Sequence, residues 1–271
     1  MTDRYAVVGN PIAHSKSPFI HTEFARQTGQ DLQYERLLAP LDSFRATIEN
    51  FRAAGGKGVN VTLPFKLEAF DLAQERSQRA ADAQAVNTLK LDASTLYGDN
   101  TDGVGLLRDI ESNLGFPIQG RSVLLMGAGG AAQGVVGPLL SVRPERLVIA
   151  NRTEEKAQRL AQQFSVRGPL SASSYAAIAG QQFDLIINAT SASLKALVPD
   201  LPEGIFARGA LAYDMMYGKG TLPFLELARS QGAARVADGI GMLVEQAAES
   251  FFIWRGVRPQ TRPVIAALQA Q

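Results

Sequence analysis

Residues 127–132 read Gly-Ala-Gly-Gly-Ala-Ala, directly after the apolar run 122–126 and directly before a stretch of helical spacing that reaches Leu140. A turn of this GxGxxA form constrains the chain more than any other feature. Small residues there let the backbone turn sharply, bring its amides against a pyrophosphate and set that group on the positive end of the next helix. The motif by itself is common, but here strand, turn, helix and the following strand 147–150 stand in register. The run 122–126 lacks polar alternation, the pattern of a parallel sheet buried on both faces. Further short apolar strands are predicted at 185–188 and 211–214, with helices over 131–140 and 153–164. These elements predict a Rossmann-type doubly wound nucleotide domain.

That domain cannot account for the whole chain. At 271 residues the length favours two domains. The first hundred residues carry their own alternation: strands at 5–9, 32–38, 58–62, 85–91 and 96–98, with helices over 18–27, 42–54 and 64–74. Ser17 and Asp42 are read as helix caps, and Pro64 as the opening of the third helix. A connector helix is predicted from Asp102 to about Leu114. The tail 242–254 has helical spacing and no strand of its own, so it is expected to return to the first domain. The resulting architecture is α/β with two domains and a cleft between them. A discontinuous domain of residues 1–101 and 239–271 has a mostly parallel sheet, and residues 102–238 form the nucleotide domain.

Composition removes several function classes. Lys plus Arg number 27 and Asp plus Glu 26, a net charge of +1, which provides no broad field for nucleic acid. Cysteine is absent, which excludes disulfides, cysteine nucleophiles and thiolate metal sites. Two histidines, His14 and His21, are the available imidazoles, and neither has metal-ligand spacing, so no metal is expected. No run approaches the roughly 20 apolar residues of a membrane span, and the first residues resemble neither a signal nor a transit peptide. A cytoplasmic protein acting on a small molecule is expected, as a monomer or homodimer.

Cofactor choice is set at the end of the second nucleotide-domain strand. An NAD site places an acidic residue there for the ribose hydroxyls. Here the strand ends in Asn151-Arg152-Thr153, with Lys156 one helical turn further on. A guanidinium in place of a carboxylate suits a 2′-phosphate, so NADP is expected. Cations at a helix start are otherwise disfavoured.

In the first domain, polar residues cluster where strands give way to loops: Ser15 and Ser17; Asn60, Thr62 and Lys66; Asn87 and Thr88; Asn100, Thr101 and Asp102. Open α/β sheets bind ligands at such places. Hydroxyls and amides suit a polyhydroxylated ligand, although each cluster singly is also what caps and turns use. Lys66 is the informative member. In the first turn of a helix the dipole opposes its charge by about 0.3 to 1 kcal/mol. The dipole and any desolvation favour the neutral amine, which suits proton exchange near neutrality. If Asp102 lies beside it, the two would titrate as a pair.

Jointly these segments resemble the NADP-dependent shikimate dehydrogenase family. The matching stretches are GNPIAHSKSP (9–18), GVNVTLPFK (58–66), AVNT (85–88), GDNTDGVG (98–105), GAGGAA (127–132), NRT (151–153), NATS (188–191), YDMMYGKGTLPFL (213–225) and DGIGMLVEQAAESFFIWRG (238–256). The resemblance implies reversible reduction of 3-dehydroshikimate to shikimate with NADPH. It assigns Lys66 and Asp102 to catalysis and Ser15 and Ser17 to the substrate carboxylate. It assigns Asn60, Thr62, Asn87, Tyr217 and Gln246 to further substrate contacts. On the cofactor side it implies Gly127, Ala128, Gly129, Gly130 and Ala131 for the pyrophosphate, and Asn151, Arg152, Thr153 and Lys156 for the adenosine phosphate. Thr190, Met215 and Gly239 fall near the nicotinamide. One departure is Ser193, which stands where the family usually has glycine. The rival readings are a quinate/shikimate dehydrogenase and a non-catalytic NADP-binding regulator on the same fold.

Overall fold

The structure is a computed structural model, and it describes residues 2–92, 94–190, 200–218, 220 and 222–271. The chain divides into two compact units, Met1–Gly105 with Leu243–Gln271, and Leu106–Met242.

The first unit runs β1 (Asp3–Gly9), α1 (Ser17–Thr28), β2 (Leu32–Leu38), α2 (Phe44–Ala53), β3 (Gly56–Val61), α3 (Lys66–Leu72), β4 (Glu75–Arg76), α4 (Gln78–Ala83), β5 (Thr88–Leu91) and β6 (Leu96–Asp99). Its sheet has the order β2-β1-β3-β5-β6-β4. β5 pairs antiparallel with both β3 and β6, while the other pairings are parallel. Both faces are covered, and the period-two geometry of β1 shows how. Ala6 and Val8 pack with Phe44, Ile48 and Phe65, whereas Tyr5 and Val7 pack with Tyr34 and Trp254.

After β6 comes α5 (Asp102–Arg108), which widens into a π-helical turn over Asp109–Asn113. The second unit continues with β7 (Ser122–Met126), α6 (Gly130–Ser141), β8 (Arg146–Ala150), α7 (Glu154–Gln163), β9 (Leu170–Ser173), β10 (Phe183–Asn188), β11 (Phe206–Asp214), α8 (Pro223–Ser230) and β12 (Arg235–Ala237). The sheet order β12-β11-β10-β7-β8-β9 is parallel throughout. Counted within this unit it is the 3-2-1-4-5-6 order of a Rossmann domain, with its switch point between β7 and β10. Val123 and Leu125 face one core cluster and Leu124 and Met126 the other. The run 122–126 is therefore apolar at every interior position. The chain closes with α9 (Ile240–Arg255) and α10 (Arg262–Gln269).

Several local details differ from the sequence pattern. Ser17 lies inside α1, and Lys16 holds the cap position without a side-chain cap, because the Ser17 amide already donates to Ser15 Oγ at 3.3 Å. Ser43, not Asp42, precedes α2. Pro64 lies in a turn closed by Phe65 N–H to Thr62 O at 3.0 Å, so α3 begins at Lys66 and ends at Leu72. The borders of the two units lie within α5 and α9, four residues after the expected domain bounds at 101/102 and 238/239. Among the described residues no helix is long and apolar enough to cross a membrane.

Candidate active site

Within the first unit, strand ends and helix starts carry polar side chains to one place. The Lys66 ammonium, on the first residue of α3, lies 2.5 Å from Asp102 Oδ2 on the first residue of α5. Both side chains are partly exposed, at 29% and 18%. Asp102 Oδ1 accepts from Asn87 Nδ2 at 2.8 Å. The Asp102 carboxylate thus serves Lys66 and Asn87, and its amide donates to Asn100 Oδ1 at 3.1 Å. The backbone ties the same segments, with Val86 N–H on Lys66 O at 2.9 Å and Asn87 N–H on Asp99 O at 3.0 Å.

Asn87 is buried and acts as a junction. Its Oδ1 accepts the Thr101 amide at 2.9 Å and the Thr88 hydroxyl at 2.9 Å, and its Nδ2 also reaches Thr101 Oγ1 at 3.0 Å and Gln246 Oε1 at 3.4 Å. Gln246 comes from α9, so the tail helix completes this group. Thr62 is anchored by its amide to Val8 O at 3.0 Å.

Asn60, expected as a substrate contact, is hydrogen-bonded within the protein. Its Oδ1 accepts the Tyr34 phenol at 2.7 Å and lies 3.1 Å from His21 Nε2, while its Nδ2 faces Ser250 Oγ, Asn87 O and Thr88 Oγ1. Asn60 is buried and its donors and acceptor meet protein partners, as those of buried Asn87 also do. Ser250 was not singled out by sequence, yet its fully buried hydroxyl meets Asn60, Thr88 and Thr101. The legible signal was a serine one turn after Gln246 on the same face of an apolar helix.

A second buried group supports the Asp102 loop. Asp99 accepts a two-pronged Arg79 guanidinium at 2.7 and 2.9 Å, the Ser77 hydroxyl at 2.6 Å and the Asn100 amide at 2.7 Å. Arg79 also donates to Glu249 on α9 at 3.0 Å.

Ser15 and Ser17 sit together at the start of α1. Ser17 is buried, and its amide donates to Ser15 Oγ at 3.3 Å. His21 is fully buried one turn further and stacks on Tyr34 with ring centroids 4.2 Å apart. Burial lowers its pKa to about 3, so it is neutral.

In the second unit, Gly127 has φ of 106°, and a Cβ there would stand 3.1 Å from Thr190 Cγ2 and 3.3 Å from the Ala189 backbone. Beside Gly129 and Gly130 nothing lies within 4 Å of a built Cβ, and α6 starts there without a side-chain cap. With Ala128 and Ala131 the turn is made of small residues, with open space beside Gly129 and Gly130 at the start of a helix, which fits a pyrophosphate. At the end of β8, Asn151 Nδ2 donates to Thr153 O at 2.8 Å, and Arg152 is exposed. Lys156 lies in the first turn of α7 beside Glu154 and Glu155, with Glu154 accepting from Gln158 at 3.1 Å. An NADP adenosine end fits this donor set through Arg152 and Lys156.

Thr190 donates from its amide and hydroxyl to Asn188 Oδ1 at 3.0 and 2.7 Å, and Asn188 Nδ2 donates to Asp214 Oδ2 at 3.0 Å. Asp214 in turn accepts the Met216 amide at 2.9 Å. This buried Asn–Asp pair, absent from the sequence reading, joins the ends of β10 and β11 just where Thr190 and Met215 leave them. Gly239 packs directly on that turn, since a Cβ would lie 2.3 Å from Met215 O. Tyr217 follows β11, 38% exposed, with its phenol pKa raised by burial. Ser193 lies outside the described residues. No group of three or more potential metal ligands occurs among the described residues.

Family models described as "Shikimate dehydrogenase substrate binding domain", "Shikimate / quinate 5-dehydrogenase" and "Shikimate 5'-dehydrogenase C-terminal domain" match residues 7–89, 110–204 and 239–269. The chain is 61% identical to the shikimate dehydrogenase (NADP(+)) of Nitrosospira multiformis, over 100% of this chain and 98% of that one. It is 62% identical to the enzyme of the same name from Dechloromonas aromatica, over 100% and 99%. Among solved structures it resembles an Ael1 enzyme from Pseudomonas putida, with TM-score 0.96, 54% identity and 98% of each chain covered. The Thermus thermophilus shikimate 5-dehydrogenase in complex with NADP(H) and shikimate superposes with TM-score 0.88 at 31% identity, covering 99% of each chain. On full-length identity of this size, joined to the Lys66–Asp102 pair and the glycine turn after β7, the chain belongs to the shikimate dehydrogenase family.

Proposed function

We propose that the protein catalyses the reversible NADPH-dependent reduction of 3-dehydroshikimate to shikimate, with Lys66 as the proton donor and acceptor at the reacting oxygen. The observation that carries this reading is the Lys66–Asp102 contact of 2.5 Å on partly exposed side chains, backed by buried Asn87. Reducing a ring ketone needs a hydride on carbon and a proton on oxygen in defined geometry. NADPH, when bound, supplies the hydride. Lys66 gives its proton to the oxygen in reduction and takes it back in oxidation, and its charge stabilises the oxyanion as it develops. Asp102 holds the amine in place and hydrogen-bonds the same hydroxyl.

Ser15 and Ser17 take the ring carboxylate, and Thr62, Asn87, Tyr217 and Gln246 take the remaining oxygens. The turn from Gly127 to Ala131 holds the pyrophosphate, and the segment from Asn151 to Thr153 with Lys156 holds the 2′-phosphate end. Thr190, Met215 and Gly239 flank the nicotinamide. In this reading the first unit is the substrate domain and the second the NADP domain. The protein works in the cytoplasm on small molecules, as a monomer or homodimer, without nucleic acid. Steady-state turnover of shikimate and quinate, each with NADP and NAD, tests the assignment. Highest kcat/KM for shikimate with NADP supports it, and turnover of quinate alone, or of neither acid, overturns it.

A further inference from the structure

Resting on that reading, we propose that Arg36 is a specificity-determining residue, its guanidinium supplying the positive charge with which the Ser15/Ser17 pair selects a carboxylate-bearing ring over its uncharged counterpart. Side chains two apart on a strand share a face. On β2 these are Tyr34 and Arg36: Tyr34 donates to Asn60 Oδ1 at 2.7 Å, while Arg36 donates to Ser15 O from Nη2 at 2.6 Å and Nε at 3.2 Å.

The serines need such a partner. Ser15 Oγ accepts the Ser17 amide, which leaves its proton to point elsewhere, but a hydroxyl donor neutralises no charge. Lys16, between them in sequence, has its ammonium on Gln271 Oε1 at 3.1 Å. Glu35, next to Arg36, is paired with Arg4 at 2.7 Å, as alternation along the strand requires. Among the described residues Arg36 makes no ion pair, so its charge is not cancelled by a fixed carboxylate. The fork on the Ser15 carbonyl holds a planar cation against the serine turn, and it does so with donors a carboxylate can share. Because Arg36 is exposed, the effect is modest and screened by salt.

The test compares shikimate with its neutral methyl ester in the wild type, Arg36→Gln and Arg36→Lys, at low and high salt. In Arg36→Gln the shikimate KM rises about fivefold, the size of an exposed ion pair, while kcat and the ester KM move far less. The salt dependence of the shikimate KM disappears in that variant, and Arg36→Lys retains most of the preference for the acid. A wild-type preference for the acid that survives in Arg36→Gln, or a parallel rise of both KM values, overturns the role of Arg36 alone. A wild type indifferent between acid and ester overturns the carboxylate role of Ser15 and Ser17, and this inference with it.

Discussion

Asp102 faces Lys66 with one carboxylate oxygen, at 2.5 Å, and Asn87 with the other, at 2.8 Å. The lysine therefore meets a carboxylate whose orientation is set from behind by a buried amide. Removing the amine removes the proton relay without removing that support. Lys66→Ala is expected to lower kcat for shikimate oxidation about 10²- to 10⁴-fold, the usual contribution of a positioned acid–base group. Because the pair acts as a unit, Lys66→Ala/Asp102→Asn is expected to be little worse than Lys66→Ala alone. Steady-state kinetics of Lys66→Ala, Asp102→Asn and the double variant checks both statements, and additive losses would contradict the paired role.

Arg152 at the end of β8 is the cation proposed for the 2′-phosphate. Arg152→Ala is expected to raise the KM for NADP roughly 10- to 100-fold, as for loss of a charge-assisted hydrogen bond. The KM for NAD, which lacks that phosphate, is expected to change about twofold or less, a loss below ~0.5 kcal/mol. Equal effects on the two cofactors would show that Arg152 acts on the fold of the turn.

Gly239 lies against the Met215 carbonyl, with room for a hydrogen and not for a methyl group. The obstacle is backbone, which cannot rotate away as a side chain can. Gly239→Ala is expected to cost about 1–3 kcal/mol, the range for overpacking. It should also weaken NADP binding, because Met215 must move. Thermal denaturation and cofactor titration measure the two effects separately, and an unchanged Tm would contradict the close approach.

His21 is buried neutral with its pKa lowered to about 3, against about 6.5 unfolded. Between these values the unfolded chain binds a proton that the folded chain does not. Stability therefore rises with pH across this window and is lost as pH falls below about 6.5, by about 1.4 kcal/mol per unit once the unfolded histidine is fully protonated. His21→Phe keeps a ring on Tyr34, and Asn60 Oδ1 keeps the Tyr34 phenol. Urea unfolding from pH 7 to 5 is expected to show a shallower slope in this variant. Parallel wild-type and variant curves would contradict a buried neutral imidazole.

Much of the fold was legible because local pattern and burial coincide. The strand at 122–126 and its glycine turn were readable, since a strand covered on both faces must be apolar at each interior position. The misplaced caps at Ser17, Asp42 and Pro64 have one cause. Ser, Asp and Pro serve turns as readily as helix starts, and hydrogen bonds such as Ser17 N–H to Ser15 Oγ decide between them.

For the site, residue types in sequence order sufficed to select Lys66, Asp102, Asn87 and the glycine turn. They could not show which distant segments each polar side chain joins. The amide of Asn60 meets Tyr34, His21 and Ser250, residues 26, 39 and 190 positions away, and that of Asn87 meets Thr101, Asp102 and Gln246. Chain order carries chemical identity and local periodicity, because both act over a few residues. Hydrogen-bond partnership forms between segments distant along the chain, and it exists once β2, β3 and α9 have packed together.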